Sequence, residues 1–255
     1  MTDYLLLRLY GPLASWGEIA VGESRHSAVH PSRSALLGLL GAALGIERHD
    51  DAGQQALIQG YRFGIKLECV GSPLRDYHTV QTGVPPRKFQ FRSRRQELAA
   101  DKIDTILSTR EYRCDSLALV AVEAMPGAPV NLISLAEALR RPHFALYLGR
   151  KSCPLALPLL PQVISAPSLR VALDGVEWPS LLGLLDRRQP KQAWPTRGDR
   201  QAFRSGQTRY YWEDGMQAGM QPSFDAWRHD QPLSRPRWQF SPRREWVALD
   251  EGDRP

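Results

Sequence analysis

Cysteine is scarce: Cys69, Cys114 and Cys153 are the only three in 255 residues. They are odd in number and far apart, which excludes a disulfide framework and a cysteine-built zinc site. A reducing, cytoplasmic setting is therefore expected. Long apolar runs are missing too. None approaches the roughly 18–20 residues that a membrane-spanning helix needs. Met1-Thr2-Asp3 leads straight into a strand-like run, without a basic region or a small-residue cleavage site, so no secretory signal is expected. Histidine pairs at helical metal-ligand spacing are absent as well. His26 and His30 have that spacing, but they fall in a loop running into Pro31, with no carboxylate cluster nearby. Neither a metal nor a cofactor is expected.

What remains is a globular composition, 42% hydrophobic, with 33 basic against 27 acidic residues and a net charge of +6. The length fits one large domain or two small ones. Most of the cations are arginine, whose planar fork suits phosphates and base edges. Net charge alone does not make a nucleic-acid binder; clustering of the charge does.

Tyr4 to Leu9 reads as a buried strand stopped by Gly11-Pro12. After a long loop, Ser32 or Ser34 can cap a helix, "SALLGLLGAALG", that Gly45 ends. Gly38, Gly41 and Gly45 are spaced by three and four, which predicts one glycine face approached closely by a sheet or another backbone. Each interior glycine costs about 0.5–1 kcal/mol relative to alanine. Strands follow at Tyr61–Val70 and Leu117–Val122, a helix at Asn131–Arg140, and a fourth strand at Phe144–Leu148. The order β-α-β-β-α-β is the ferredoxin-like plan. The expected class is α+β: a first domain over residues 1–160 and a C-terminal, β-containing extension over 161–255 packed on it. Residues 75–113 are too polar for core and too long for a turn, so they are expected to project as an insertion.

Three stretches carry possible chemistry. "RKFQFRSRR", Arg87 to Arg95, holds five cations in nine residues and no acid. Phe89 and Phe91 alternate with Arg87, Lys88, Arg92, Arg94 and Arg95 and would share one face of an extended chain. Cations for phosphates and rings for bases are what single-stranded nucleic acid requires. The same stretch also reads as a solvated loop with both phenylalanines tucked into the core. In "LRDYHTV", His78 with Tyr77 or Lys88 would make a base and acid for a metal-independent ribonuclease. The competing reading is a histidine that only hydrogen-bonds, since nothing in the sequence makes a base and an acid converge. "YLGRKSCPL" resembles the end of a phosphate loop, but Arg150 separates Gly149 from Lys151 and no glycine stands five residues earlier. Cys153 has no histidine near it in sequence to activate it. A glycine turn with two cations fits a sugar-phosphate backbone instead.

Six segments in order, "YLLLRLYGPLASWG", "PSRSALLGLLGAALGI", "LRDYHTV", "TREYRCD", "YLGRKSCPL" and "FSPRREW", resemble the CasD family, subunits of the type I-E CRISPR surveillance complex Cascade within the RAMP superfamily. The resemblance runs from Leu5 to about Trp246. It implies an RRM-like, ferredoxin-type RAMP domain whose insertion is a β-hairpin thumb. It implies a non-catalytic subunit that grips the 5′ handle of the CRISPR RNA (crRNA) and caps the backbone of the complex in antiviral defence. RNA contacts would then fall to Trp16, Arg33 at the helix start, Tyr77 and His78 at the thumb root, Arg110, and the Gly149-Arg150-Lys151 loop. Implied partners are a CasC-like backbone subunit and a CasA-like large subunit, with CasE-like and small subunits and target DNA reached through the complex. The family often has Gln-Ala before the first-loop tryptophan, where this chain has Ala14-Ser15. Residues 81–108 and 187–230 match poorly. In a related subtype the equivalent subunit cleaves repeat RNA itself, and that alternative would use Tyr77, His78 and Lys88.

Overall fold

A computed structural model describes residues 1–20, 22–179, 207–234 and 237–250. Parts of the expected extension, residues 180–206 and 251–255, lie outside the described residues. The chain begins with β1 (Thr2–Tyr10), then the short strands β2 (Leu13–Ala14), β3 (Trp16–Gly17), β4 (Ser24–Arg25) and β5 (Ser27–Ala28). Helices α1 (Arg33–Leu44) and α2 (Asp51–Gly60) lead into β6 (Tyr61–Cys69) and β7 (Ser72–Gly83). After α3 (Arg94–Leu98) come β8 (Ile103–Cys114), β9 (Leu117–Ala124) and α4 (Leu132–Arg140). The chain continues through β10 (Gln162–Ala166), α5 (Leu169–Asp174), β11 (Arg209–Glu213), β12 (Phe224–Ser234) and β13 (Gln239–Leu249).

The main sheet has seven strands in the order β10-β1-β9-β6-β11-β13-β12, every pair antiparallel. The interior strand β1, second in that order, is buried from Tyr4 to Tyr10 because both faces are covered. Leu5, Leu7 and Leu9 pack in one core with Leu36, Leu40 and Leu135 of α1 and α4. Tyr4 and Leu6, on the alternate face, pack with Leu169, Ala172 and Leu173 of α5. Strand and helix periods are thus satisfied on opposite sides of one strand.

Two expectations are corrected here. Phe144–Leu148 is not a strand; only Tyr147 forms an isolated bridge, to Pro154. The N–H groups of His143 and Phe144 instead bond the Ala43 and Ala42 carbonyls, which the end of α1 leaves unpaired. The edge strand beside β1 is β10, so the sheet crosses residue 160 and continues into β11, β13 and β12 without a break. The three glycines also diverge. A Cβ on Gly41 would lie 3.2 Å from Leu57 of α2, and one on Gly45 would lie 3.0 Å from the His143 ring, while Gly38 is exposed.

The insertion is a hairpin. β7 and β8 pair over twelve consecutive residues, Ser72↔Cys114 to Gly83↔Ile103. β7 is mostly exposed and β8 is exposed over its first four residues and largely half-buried after them, in keeping with their polar, aperiodic sequence. β2 pairs antiparallel and β4 parallel with β8, tying the hairpin base to the first loop.

Candidate nucleic-acid interface

A groove of about 1300 Å³ opens over the exposed side of α1. Its floor is small: Ser34, Ala35, Gly38 and Ala42 recur at helical spacing and let a ligand approach the helix closely. Residues 145–150 form one wall, and residues 227–230 and 238–240 of the β12–β13 hairpin form the other. Four guanidiniums line it: Arg25, Arg48, Arg150 and Arg228. Arg228 pairs with Glu18 at 3.7 Å. Among the described residues, Arg25, Arg48 and Arg150 have no carboxylate at ion-pair distance. Arg25 and Arg150 donate only to backbone carbonyls, and Arg48 lies 4.7 Å over the Trp238 ring. Their charge is therefore free for an anion. Between the cations stand Tyr147, Trp227, Trp238 and Phe240, with Trp227 66% and Trp238 57% exposed. Large exposed rings interleaved with unpaired arginines are a platform for bases and phosphates together.

The loop that carries Arg150 is set by Gly149. Its φ of +86° and its 1.8 Å clearance between a would-be Cβ and the Ser15 carbonyl oxygen admit no side chain. Arg150 then lies 5.0 Å over the Tyr112 ring of β8 and donates to the Arg25 carbonyl at 3.4 Å. Arg25 in turn sits opposite Arg110 in the β4–β8 register, and Arg110 opposite Asp76. A chain of direct contacts thus joins the groove to the hairpin. Lys151 follows Arg150, exposed in the same turn.

Behind the β12–β13 wall lies a buried ionic network. Asp230 accepts from the Arg33 backbone N–H at 2.7 Å and from Arg243 at 2.6 and 3.0 Å. Arg243 also reaches Glu245 at 2.7 Å, whose other oxygen lies 2.9 Å from His30 Nε2. His30 stacks on Tyr211, ring centroids 3.7 Å apart. Burial alone would raise the Glu245 carboxyl, but His30, Arg243 and Arg228 outweigh it and hold it down at about 2. Burial lowers His30 despite Glu245.

This network corrects one expected contact. Arg33 is 5% exposed, and its guanidinium is taken by the Tyr61 carbonyl (3.1 Å), the Ile58 carbonyl (2.6 Å) and Glu213 (2.5 Å). It fastens α1 to α2, β6 and β11 and does not line the groove. Trp16 is corrected as well. At 3% exposure it lies beneath the Gly149 loop, where it supports the wall and offers no face to a base. Cys153 is fully buried and burial raises its thiol, which removes a nucleophile. His26 faces Glu111 at 3.3 Å while His30 faces Glu245, so the two diverge.

The hairpin residues form a second group. Tyr77, 63% exposed, and His78 point to opposite faces of β7, and His78 Nε2 lies 2.5 Å from Asp76. Among the described residues no hydrogen bond or ion pair joins Tyr77, His78 and Lys88. Lys88, at φ +65°, stands in the turn beyond the strand end with Arg87, both exposed. The stretch is not extended, yet Phe89 and Phe91 still meet edge to face at 5.4 Å. Arg92 and Arg95 are exposed, while Arg94 is taken up by Glu97 at 2.8 Å and by the Gln81 carbonyl. Sequence reasoning missed Arg25, Arg48, Trp227, Arg228, Trp238 and Phe240. The available signal was the tail's own alternation of rings and cations, "DAWRHD" and "RWQF", which repeats the texture of "RKFQF".

Residues 4–245 match the family described as CRISPR-associated protein (Cas_Cas5). The CRISPR system Cascade subunit CasD of Escherichia coli (strain K12) is 36% identical over 185 residues, covering 69% of this chain and 78% of that protein. Among solved structures, a chain of a CRISPR RNA-guided surveillance complex aligns with a TM-score of 0.64 at 24% identity, covering 97% of this chain and 90% of that one. A Cas protein crystal structure aligns with a TM-score of 0.55 at 22% identity, covering 96% of this chain and 94% of that one. The structural likenesses show a shared fold; the sequence matches reach further. This chain belongs to the Cas5 family of CRISPR-associated proteins.

Proposed function

We propose that this chain is a non-catalytic, CasD-like subunit of a type I-E Cascade complex and holds the 5′ handle of the crRNA in the groove over α1. The observation that carries the reading is the groove's lining: unpaired Arg25, Arg48 and Arg150 among the exposed rings of Trp227 and Trp238. Phosphate contacts would supply most of the affinity and make it salt-dependent. Splayed bases would stack on the rings and be read at their edges. Strands β1, β6, β9 and β10 with α1 and α4 serve as an RRM-like, ferredoxin-type RAMP unit, and β11–β13 as its extension. The β7–β8 hairpin acts as the thumb that separates handle from guide, with Tyr77, His78 and Arg110 about halfway along it and Arg87, Lys88, Phe89, Phe91, Arg92 and Arg95 at its tip. CasC-like and CasA-like subunits would dock on exposed apolar positions such as Leu74, Val80 and Ile106. CasE-like and small subunits, and target DNA, would be met through the assembled complex. Among the described residues no helix is long and apolar enough to cross a membrane, in keeping with a cytoplasmic assembly.

The test is equilibrium binding of a labelled handle RNA across a salt series. Arg25→Ala with Arg150→Ala should weaken binding and lower the salt slope by about 1.4, at roughly 0.7 per phosphate contact on a single strand. Affinity and slope equal to the unsubstituted protein would refute the groove reading. The second reading is the endoribonuclease, for which His78 would be the base; its Nε2 lies beside Asp76 without a hydrogen bond to it. End-labelled repeat RNA incubated in EDTA should stay intact. A cut that His78→Ala abolishes would establish the enzyme instead.

A further inference from the structure

On the far side of Trp227 from the groove lies a second cavity, of about 610 Å³, within the size range of small-molecule sites. Trp227 lines both. The cavity lies at the strand ends of β6 and β11 beside β12 and β13, and both faces of the sheet contribute to its lining. There the β12–β13 register sets Trp227 opposite Arg244 and Asp225 opposite Trp246, all on one face. The Arg244 guanidinium lies 3.8 Å from the Trp246 ring centroid and pairs with Asp225 at 3.1 Å. Arg62, on the same face, donates to the Gly215 carbonyl at 3.2 Å and stands across the β6–β9 register from Glu123, whose carboxyl burial raises against the lowering charge of Arg62, with no ion pair within bonding distance among the described residues. At the cavity's back, Arg33 Nε, Arg243 Nη1 and Glu213 Oε1 are buried polar atoms without a hydrogen-bond partner. Unmet polar capacity in a native interior marks a place that something polar completes.

The chemistry of this lining is selective. Four arginines line the cavity beside Glu213 and Asp214; Arg33 and Arg243 are held by buried carboxylates and Arg244 by the exposed Asp225, so Arg62 and Arg244 are the cations placed to meet a phosphate. A nucleotide fits each part: a base against the Trp227 ring, base edges toward the Gln59 and Gln231 amides, and a phosphate toward Arg62 and Arg244. We infer that this cavity is a second nucleotide site, and that a single strand held in the groove turns round Trp227 into it. The inference rests on the groove reading above. The edge strand β12 then acts as a post about which the RNA bends, with Trp227 stacking on both sides of the bend.

Arg62 and Arg244 line the cavity and not the groove, so the two sites can be separated. The full chain is titrated with fluorescein-labelled oligouridylates of four and eight nucleotides, across a salt series. The unsubstituted protein should bind the longer probe at least about tenfold tighter, since each further stacked base contributes about 1–3 kcal/mol. Arg62→Gln with Arg244→Gln should abolish that gain and lower the salt slope for the longer probe by about 1.4. Arg244→Gln alone, which leaves the Arg62 contact to Gly215, should remove about half of the slope change. Unfolding midpoints of each variant are read beside the titrations. If the double variant keeps both the length gain and the slope while Arg25→Ala with Arg150→Ala loses binding, the second site is refuted and the groove stands. If neither pair changes anything, both readings fall.

Discussion

Replacing Gly149 by alanine tests how the groove wall is built. A Cβ there would sit 1.8 Å from the Ser15 carbonyl oxygen, where van der Waals contact needs roughly 3.5 Å. Ser15 cannot retreat cheaply: it is buried, its N–H bonds the Leu148 carbonyl at 3.0 Å, and its hydroxyl bonds the Glu111 carbonyl at 3.0 Å. The left-handed backbone adds about 1–2 kcal/mol for any residue with a side chain. Together these should cost at least about 3 kcal/mol, a fall in Tm of about 6–12 °C for a chain of this size. Gly127 is the control. It has φ +95° but nothing within 4 Å of its would-be Cβ, so Gly127→Ala should lose only the backbone contribution, about 1–2 kcal/mol. Differential scanning calorimetry of the two variants isolates the contact. RNA titration of Gly149→Ala, at a temperature where it is folded, should show affinity reduced about tenfold or more through displacement of Arg150. Equal losses of Tm in the two variants would refute the argument, because they would mean that Ser15 yields freely.

Three further outcomes are expected. Arg33→Ala breaks a buried pair and strands Glu213, so chemical denaturation should show a loss of about 3–5 kcal/mol, with the salt slope of RNA binding unchanged. Because Glu245 is held at about 2 when folded, its contribution is fully present above the usual glutamate range and is lost as pH falls through that range toward 2; urea midpoints should drop along that limb, and Glu245→Gln should flatten it. Trp238→Ala should cost about 1–3 kcal/mol of RNA binding, largely restored by Trp238→Phe, as fluorescence anisotropy would report.

The central elements were legible because their signals are local. Ser32 accepts from the Ala35 N–H and Gly45 closes α1 in the left-handed region, as the cap residues predicted. Asn131 caps α4 through the Ser134 N–H in the same manner. β1 and β9 announced themselves as apolar runs, and β6 as apolar residues alternating with Arg62, Lys66 and Glu68. Failures came where a distant partner decides. Phe144–Leu148 has a strand's composition, but its first N–H groups meet the end of a helix. Arg33 stands where a helix N-terminus invites a phosphate, yet Asp230, 197 residues away, takes that backbone N–H. Asp50 caps α2 by a visible Asx signal that the long polar stretch around it obscured. The hairpin's position was readable from its length, but not its pairing, since a strand mostly exposed on both faces, as β7 is, carries no period of two. The groove as a whole was not legible, because beyond the ring-and-cation texture of its tail wall its parts come from three widely separated segments.

That separation bears on biosynthesis. The groove's floor leaves the ribosome early, with α1, and its aromatic wall almost last, with β12 and β13. A nascent chain therefore has a cationic ledge but no cleft until residue 240 has emerged and the final hairpin has docked on β11. If the groove holds the RNA handle as proposed, the handle would be seated only on a finished subunit, and translation would set the earliest moment at which assembly around RNA begins.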